Sequence, residues 1–311
     1  MNKPLLALAL AASLPCGARA AKLRVVATFP DLADIARDVG ATHVRVVGIA
    51  RGTEDPHQVV MKPSFVPKLH AADAVVFNGL TLEHSFLPGL LEAAANPNMR
   101  PDTFRTCLGQ GCIDCSKGVP IRQKPADIAR SQGELHPMGN PHYDVDPENG
   151  LVVAKNIAEG LSAIDPAHAA DYERNEKAFA ARLRAKIAQW KKELAPLKGV
   201  KAVSFHEDVA YLGHFTGLDF IDTVEFKPGV PATPAHWVKL IEEMKAQNVK
   251  LIVHEQQYSS DQARALARQT GARIATIGVM GDAFPGTAHY IDFVQHNIDA
   301  ILAAAGMSPR S

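Results

Sequence analysis

The sequence of 311 residues is poor in aromatic side chains and has no excess of charge of either sign. Only 6% of the residues are aromatic, and 33 basic residues balance 33 acidic ones. So few aromatic rings argue against a carbohydrate-stacking surface, and the lack of a basic stripe argues against a nucleic-acid partner. The H-E-x-x-H motif of zinc proteases is absent as well. These absences disfavour a carbohydrate-binding protein, a nucleic-acid-binding protein and a zinc protease.

Long apolar runs are confined to the N-terminus. Lys3 precedes an apolar stretch over residues 5–14, and Ala18-Arg19-Ala20 follows as an A-x-A cleavage signal. This pattern predicts a cleavable secretory signal peptide over residues 1–20, which is too short to span a membrane. A proline stands before Cys16, where a lipoprotein box requires a small residue, so we expect a soluble periplasmic protein instead of a lipid-anchored one. No later stretch of about 18 uncharged apolar residues occurs.

Cysteine is scarce, and three of the four cysteines follow the signal peptide. They are Cys107, Cys112 and Cys115, all within one glycine-containing segment. In an oxidising compartment an odd number predicts one disulfide and a leftover thiol, or alternatively a second metal site. Three thiolates without an adjacent histidine make an incomplete zinc site, which favours the disulfide. The sequence leaves the pairing open.

Short β-branched runs alternate with helical patterns, which predicts an α/β fold with mostly parallel sheets flanked by helices. The predicted strands cover residues 23–28, 44–49, 74–78, 202–205, 250–254 and 273–278. The predicted helices between them cover residues 31–39, 63–71, 234–246 and 260–270. The roughly 290 residues of the mature chain suit two lobes, at the usual ~100–200 residues per domain.

One long helix is predicted in the middle of the chain. Asp165-Pro166 supplies an N-cap residue and a proline at the first helical position. Apolar residues then recur at helical spacing from Tyr172 to Leu194. A helix of about 30 residues is roughly 45 Å long, enough to join two lobes. We therefore predict an N-terminal α/β lobe over residues 21–165, a linking helix over 166–195 and a C-terminal α/β lobe over 196–311.

Three histidines occur in turns of distant segments, where side chains are held out from the backbone. His57 and His142 each follow a proline, and His206 follows a predicted strand. Because ligands of open α/β sheets bind beyond the carboxyl ends of strands, we expect His57 and His206 to face a cleft between the lobes. Three imidazoles predict one site for a soft-to-borderline divalent metal, which a carboxylate could complete. Three nitrogen ligands suit zinc better than manganese, which prefers oxygen.

Longer segments surround these histidines: Asp55-Pro56-His57, then Gly139-Asn140-Pro141-His142, then Ser204-Phe205-His206 with residues 225–231. Their order resembles the metal-specific substrate-binding receptors of ABC transporters, the ZnuA/TroA-like family. The resemblance implies two α/β lobes joined by a long helix, with a zinc or manganese ion held between the lobes. It implies a receptor that delivers the metal to an ABC-transporter permease in the inner membrane, and we expect a monomer. A closed shell of four ligands has no open position for substrate or activated water, so we expect no enzymatic activity. By the same resemblance, Asp282 matches the carboxylate that serves as fourth ligand.

Two further carboxylates and one histidine have open roles around this site. Glu255 ends a predicted strand and competes with Asp282 for the fourth ligand position. His136 is a candidate auxiliary ligand, because it precedes His142 by six residues. Glu225 is expected to hydrogen-bond a ligand histidine from behind, since metal-bound histidines need an outer partner that fixes the tautomer.

Alternative functions follow from the same residues. The first is a manganese or iron receptor of the same family. The second is a secreted zinc hydrolase that uses Glu255 or Glu207 as general base at an open coordination position. The other histidines are interpreted as ordinary surface or core residues: His43, His70, His84, His168, His214, His289 and His296.

Overall fold

The structure, a computed structural model, describes residues 21–103, 105–125, 136–225 and 230–307. The predicted signal peptide and part of the 225–231 segment lie outside these residues. The strands, in chain order, are β1 (Leu23–Ala27), β2 (Val44–Gly48), β3 (Ala74–Phe77), β4 (Arg100–Asp102), β5 (Thr106–Leu108), β6 (Cys112–Asp114), β7 (Lys201–Ser204), β8 (Asp219–Thr223), β9 (Leu251–Glu255) and β10 (Arg273–Ile277). The six predicted strands are confirmed as β1, β2, β3, β7, β9 and β10.

Two four-stranded parallel sheets carry the fold. The first has the strand order β2-β1-β3-β6, and the second has the order β10-β9-β7-β8. The central strands are nearly continuous runs of apolar residues: Ala74, Val75 and Val76 in β3 are 0% exposed. Such runs are what a parallel sheet requires when helices cover both of its faces. Strands β4 and β5 form a separate antiparallel pair.

Helices cover both sheets. They are α1 (Pro30–Gly40), α2 (Val66–His70), α3 (Leu87–Ala94), α4 (Pro147–Ile164), α5 (Ala169–Leu194), α6 (Ala210–Thr216), α7 (Pro234–Ala246), α8 (Asp261–Thr270) and α9 (Tyr290–Ala304). Within the described part of the chain, no helix has both the length and the apolar character of a membrane span. The predicted class, α/β with two parallel sheets flanked by helices and one long spanning helix, is confirmed.

The long helix α5 connects the two halves of the molecule. It has 26 residues and is extended by short 3-10 turns at Pro166–His168 and Ala195–Leu197. Its buried stripe consists of Tyr172, Phe179, Ala180, Leu183, Ile187, Trp190 and Leu194. It packs against α1, which covers the first sheet, and against α9, which covers the second. The main core cluster contains residues of both sheets, so the lobe boundaries at 165 and 195 stay a prediction.

Helix α4 was not predicted, although it begins with the signal that predicted α5. Asp146 caps it and accepts a hydrogen bond from the Glu148 backbone N at 3.0 Å, and Pro147 is its first residue. The helix runs beside α5 for most of its length, and its buried side chains include Val153, Ile157 and Leu161. The Asp-Pro pair therefore marks the start of both long helices.

The predicted disulfide is present between Cys107 and Cys112, whose Cα atoms are 5.8 Å apart. It links the end of the β4–β5 pair to the first residue of β6. Cys115 is a buried free thiol, and burial raises its pKa well above the usual value. The expectation of one disulfide and one leftover thiol is confirmed, and the pairing comes from the fold.

Candidate metal centre

The same local turn presents two of the three predicted ligand histidines. The backbone N of His57 donates to the Oδ1 atom of Asp55 at 2.9 Å, and the backbone N of His142 donates to the Oδ1 atom of Asn140 at 2.9 Å. In both cases a proline stands between the two residues and fixes the backbone. The repeated Asx-Pro-His sequence thus forms two matching turns, each of which projects an imidazole from a short loop.

The two turns and the end of β7 bring three imidazoles together. The Nε2 atoms of His57 and His142 are 3.1 Å apart, and the ring centroid of His206 lies 5.5 Å from that of His57 and 5.9 Å from that of His142. One nitrogen from each ring lies within 4.8 Å of the others. Two nitrogens on one tetrahedral zinc are about 3.3 Å apart, so the separations are on the scale of a shared ion. All three side chains are buried.

Burial keeps two of these imidazoles neutral. The pKa of His57 lies well below the usual value because the ring is buried and because His136, His206 and His84 would repel its charged form. The pKa of His142 is lowered in the same way, by burial first and then by His57, His206 and His136. A neutral imidazole has a nitrogen lone pair, which is the form that binds a metal.

His206 differs because a carboxylate lies behind it. Its Nδ1 atom is 2.6 Å from the Oε2 atom of Glu225, as expected from the sequence. Burial lowers the pKa of His206, but the Glu225 hydrogen bond and the charges of Asp208, Glu225 and Asp55 outweigh it and raise the pKa to about 9. The Glu225 contact holds the proton on Nδ1, which leaves Nε2 as the metal-binding atom. A metal that binds here at neutral pH must therefore displace one proton.

The donor set suits a borderline metal ion. It offers three imidazole nitrogens, one of them with a carboxylate partner, in a pocket shielded from water. The Nδ1 atom of His57 is buried and has no hydrogen-bond partner among the described residues, so the ring is held by packing and by the turn below it. The cluster is a histidine-rich buried metal site.

Sequence and structure comparisons place the chain among known proteins. A family profile described as ZnuA, the periplasmic component A of a zinc-uptake complex, matches residues 25–304. The chain belongs to the ZnuA family. The iron-binding protein YfeA of Yersinia pestis is 25% identical over 299 residues, which cover 92% of this chain and 88% of the relative.

Other similar proteins extend the same result. The manganese ABC transporter substrate-binding lipoprotein PsaA of Streptococcus pneumoniae serotype 4 is 25% identical over 289 residues, which cover 90% of this chain and 88% of the relative. A crystal structure of ZnuA matches with a TM-score of 0.74 at 24% identity, covering 92% of this chain and 99% of that chain. The shared fold extends over nearly the whole described chain.

This ZnuA-family chain is a metal-binding receptor of an ABC importer. It functions outside the cytoplasm, either in the periplasm or as a lipid-anchored protein, and a permease is its implied partner. The family consists of solute-binding proteins, which excludes the hydrolase alternative that the sequence left open.

The predicted fourth ligand, Asp282, lies outside the group of donor atoms that the three histidines form. It is exposed, with a φ of 60°, and its backbone N donates to the carbonyl oxygen of Thr287 at 2.7 Å. The backbone of residues 281–283 packs against Gly52, where an added Cβ would lie 2.2 Å from the Gly281 carbonyl oxygen. Asp282 thus borders the loop that carries His57.

The competing carboxylate, Glu255, is fully buried at the end of β9. Burial raises its pKa well above the usual value, and the nearby carboxyl of Asp208 raises it further. Burial also raises the pKa of Asp208, whereas the charge of His206 lowers it. Burial and the neighbouring Asp208 thus favour the uncharged form of Glu255, which makes it a poor ligand for a cation.

His136 lies next to the cluster, as its position before His142 suggested. Its ring stacks on that of His57 with centroids 5.1 Å apart, and its centroid lies 6.1 Å from that of His142. Its nitrogen is outside the 4.8 Å group, so it neighbours the three imidazoles without converging on the same point. Burial, together with His84 and His206, lowers the pKa of His136 to about 3.

A second group of potential ligand atoms, which the sequence did not suggest, involves Asp146, Glu148 and His214. The Nδ1 atom of His214 lies 2.9 Å from the Oδ2 atom of Asp146, and the Nζ atom of Lys191 donates to the Oε1 atom of Glu148 at 2.7 Å. These contacts tie the start of α4 to α6 and α5. Each of the three side chains therefore has a polar partner within the protein.

Proposed function

We propose that the protein is a periplasmic receptor that binds one Zn²⁺ through His57, His142 and His206 and delivers it to an inner-membrane ABC permease. The observation that carries this proposal is the convergence of three buried imidazoles, two of them neutral, within 4.8 Å. Buried neutral imidazoles are costly to arrange without a partner, and a metal ion supplies that partner. The receptor acts as a monomer, with one ion per chain.

Zinc is favoured over manganese and iron by the ligand chemistry. Imidazole nitrogen suits zinc, whereas manganese prefers carboxylate, carbonyl and water oxygens. The alternative within the family is an iron or manganese receptor, which the similarity to the iron-binding protein YfeA and to the manganese ABC transporter protein PsaA favours. A zinc receptor and a manganese or iron receptor differ in the number of oxygen ligands, so the identity of the fourth ligand helps to distinguish them.

Asp282 is our proposed fourth ligand. Its backbone contacts Gly52 in the loop before His57, so its carboxylate is on a segment that borders this loop. Glu255 competes for the role, but it is buried against Asp208 and holds a proton. An exposed carboxylate near the rim is better suited to complete a tetrahedral shell than one buried against a second carboxyl group.

The test is metal content and affinity of the mature protein purified without chelator or affinity tag. We expect one zinc per chain, and a zinc affinity that exceeds the manganese affinity in direct competition. Alanine at His57, His142 or His206 should weaken zinc binding more than tenfold, which is ~1.4 kcal/mol or more.

His70→Ala is a matched control, because His70 is exposed on the same half of the molecule and its Nδ1 atom donates to the Ala94 carbonyl oxygen at 2.8 Å. This control should bind zinc as the unaltered protein does. Unchanged zinc affinity in two of the three ligand variants would overturn the assignment. Preferential manganese binding in competition would favour the alternative receptor.

A further inference from the structure

We propose that His84 and His136 form an intake pair, a surface-facing two-imidazole site through which the metal ion passes to the three-histidine cluster. The inference rests on the proposed function, since it assigns a route to that same site. Three observations carry it: the spacing of the rings, the orientation of their nitrogens, and the loop that holds both of them. His84 was interpreted from the sequence as an ordinary surface histidine, and the structure assigns it to this route.

The imidazole rings of His84, His136, His57 and His142 lie in a row from the surface to the cluster. His84 is exposed, and its centroid lies 6.2 Å from that of His136. His136 in turn stacks on His57 at 5.1 Å, and His57 is 4.9 Å from His142. Two imidazoles bound to one tetrahedral zinc have centroids about 5 Å apart. The His136–His57 and His57–His142 pairs are at the spacing at which two rings can hold one ion together, and the His84–His136 pair is about 1 Å wider.

Thr81 fixes which nitrogen of each ring can bind a metal. The Nδ1 atom of His84 is 2.9 Å from the Thr81 carbonyl oxygen, which can only accept, so His84 donates from Nδ1 and has its lone pair on Nε2. The Thr81 hydroxyl donates to the Leu80 carbonyl oxygen at 2.6 Å. Its oxygen is then the acceptor for the Nδ1 atom of His136, 3.2 Å away. Both rings thus have Nε2 free for a metal.

The remaining nitrogen of His136 has no competing contact. Its Nε2 atom is buried and has no hydrogen-bond partner among the described residues. A buried polar atom without a partner is costly, and a passing cation would satisfy it. The Nε2 atom of His136 nevertheless lies outside the 4.8 Å group of the cluster. This position suits a transient ligand better than a member of the final shell.

The loop that carries His84 and contacts His136 is held in an unfavourable conformation. Leu80 and Thr81 have φ angles of 52° and 68°, in the left-handed region that residues other than glycine rarely adopt. Glu83 holds the loop, because its carboxyl group accepts hydrogen bonds from the hydroxyl of Thr28 and from the backbone N atoms of Asn78 and Gly79. Strain maintained by buried hydrogen bonds is typical of functional segments.

The loop is also joined to the segment that carries His142. The side-chain amide of Asn78 donates to the Pro141 carbonyl oxygen at 2.8 Å. The intake pair and the cluster therefore keep a fixed relative position. Two imidazoles and water hold a divalent ion less firmly than three imidazoles and a carboxylate. The ion therefore moves inward, from the weaker site at the intake pair to the tighter site at the cluster.

The test is the rate at which Zn²⁺ loads the metal-free protein and the rate at which a chelator removes it. In His84→Ala and His136→Ala we expect both rates to fall about tenfold, which is ~1.4 kcal/mol on the barrier. The equilibrium affinity should stay within about threefold, because a ligand used only in transit changes neither end state. Thr81→Val keeps the β-branched shape but removes the hydroxyl acceptor, so it should slow loading through His136.

His70→Ala is the control and should load at the unaltered rate, and circular dichroism should show that every variant is folded. Loading at the unaltered rate by both His84→Ala and His136→Ala would overturn the inference. So would a loss of affinity in His136→Ala that comes from faster release alone, since that result would make His136 a ligand of the final shell.

His142→Ala separates this inference from the proposed function. If the unaltered protein binds zinc tightly and His142→Ala does not, the proposed function stands whatever the loading rates are. If His142→Ala and one of the other two ligand variants, His57→Ala or His206→Ala, bind zinc as tightly as the unaltered protein, the proposed function fails, and the route fails with it. The proposed function and the intake route are both supported if zinc binding depends on His142 and if His84→Ala and His136→Ala load zinc slowly.

Discussion

Replacing Glu225 by glutamine should change how zinc affinity depends on pH. Glu225 contacts the Nδ1 atom of His206 at 2.6 Å and contributes to a His206 pKa of about 9. The ordinary pKa of histidine is about 6.5. At pH 7, about two units below the pKa of His206, the metal must displace a proton from this ring. This displacement costs ~2.7 kcal/mol, or about 100-fold in apparent affinity.

Glu225→Gln retains an oxygen that can accept from Nδ1 and removes the negative charge. The pKa of His206 should then fall, because burial lowers it and only Asp208 and Asp55 remain to raise it. Proton competition should largely disappear above pH 7. The imidazole also becomes a weaker ligand, and loss of such an outer partner typically weakens metal binding by about 10–100-fold. The two effects oppose each other near neutral pH and separate as the pH rises.

The assay is zinc affinity by competition with a chelator of known pH dependence, from pH 6.5 to 9.5. In the unaltered protein the logarithm of affinity should rise by about one unit per pH unit and level off near pH 9, because one proton is released per ion. In Glu225→Gln it should level off near pH 7. Above pH 9 the variant should bind more weakly than the unaltered protein.

Glu207→Gln is the control. Glu207 is the exposed neighbour of His206 and accepts from the side-chain amide of Gln123 at 3.2 Å instead of from the imidazole. Its pH profile should match that of the unaltered protein. Equal slopes in the unaltered protein and in Glu225→Gln would refute the reasoning, since the carboxylate would then have no part in the proton that zinc displaces.

Three further predictions follow from the fourth ligand, from the titration of His206 and from the disulfide. Asp282→Ala should fold and bind zinc more than tenfold more weakly, ~1.4 kcal/mol, whereas Glu255→Gln should bind nearly normally. The metal-free protein should lose about 3 kcal/mol of unfolding free energy between pH 6.5 and 9, because the raised pKa of His206 stabilises the folded state only while the ring is protonated. Urea unfolding measures this loss. Replacing Cys107 and Cys112 together by alanine should cost about 2 kcal/mol of stability and leave zinc affinity unchanged.

A different result would contradict each of these three predictions. The reverse order of effects would transfer the fourth ligand role from Asp282 to Glu255. A stability that is flat from pH 6.5 to 9, or one that falls equally in Glu225→Gln, would show that His206 does not carry the raised pKa. Weakened zinc binding in the double cysteine variant would give the disulfide a role in the site, against its expected role in ordering the β5–β6 connection.

The strands were predictable where they are buried on both faces. β3 and the first three residues of β9 are continuous apolar runs because helices cover both sides of a parallel sheet. β8, Asp219–Thr223, was missed, because Phe220 and Ile221 are its only apolar residues and all of its residues are exposed or half-buried. A strand with neither a longer apolar run nor a regular alternation carries little signal in its sequence.

The site was predictable to the extent that it is local. Three consecutive residues, Asx-Pro-His, define each of the turns at His57 and His142. In both turns the histidine backbone N donates to the Oδ1 atom two residues earlier. The contact of His136 with Thr81 joins residues 55 positions apart. The row of imidazole rings from His84 to His57 depends on that contact. His84 is next to neither a proline nor a strand end, and His136 precedes Pro137 but lies far from His84 in the sequence, so only the folded chain brings the two rings together.

The protonation of the cluster explains why Glu225 is useful both with and without a metal. Without metal, His57 and His142 are neutral and His206 carries the one proton, which compensates the buried carboxylate behind it. When zinc binds, the proton leaves and the same carboxylate strengthens the His206 imidazole as a ligand. The site therefore gains one net positive charge instead of two. A cluster of three neutral histidines would bind zinc without pH dependence above about pH 7, so the proton on His206 makes the affinity of this receptor depend on external pH.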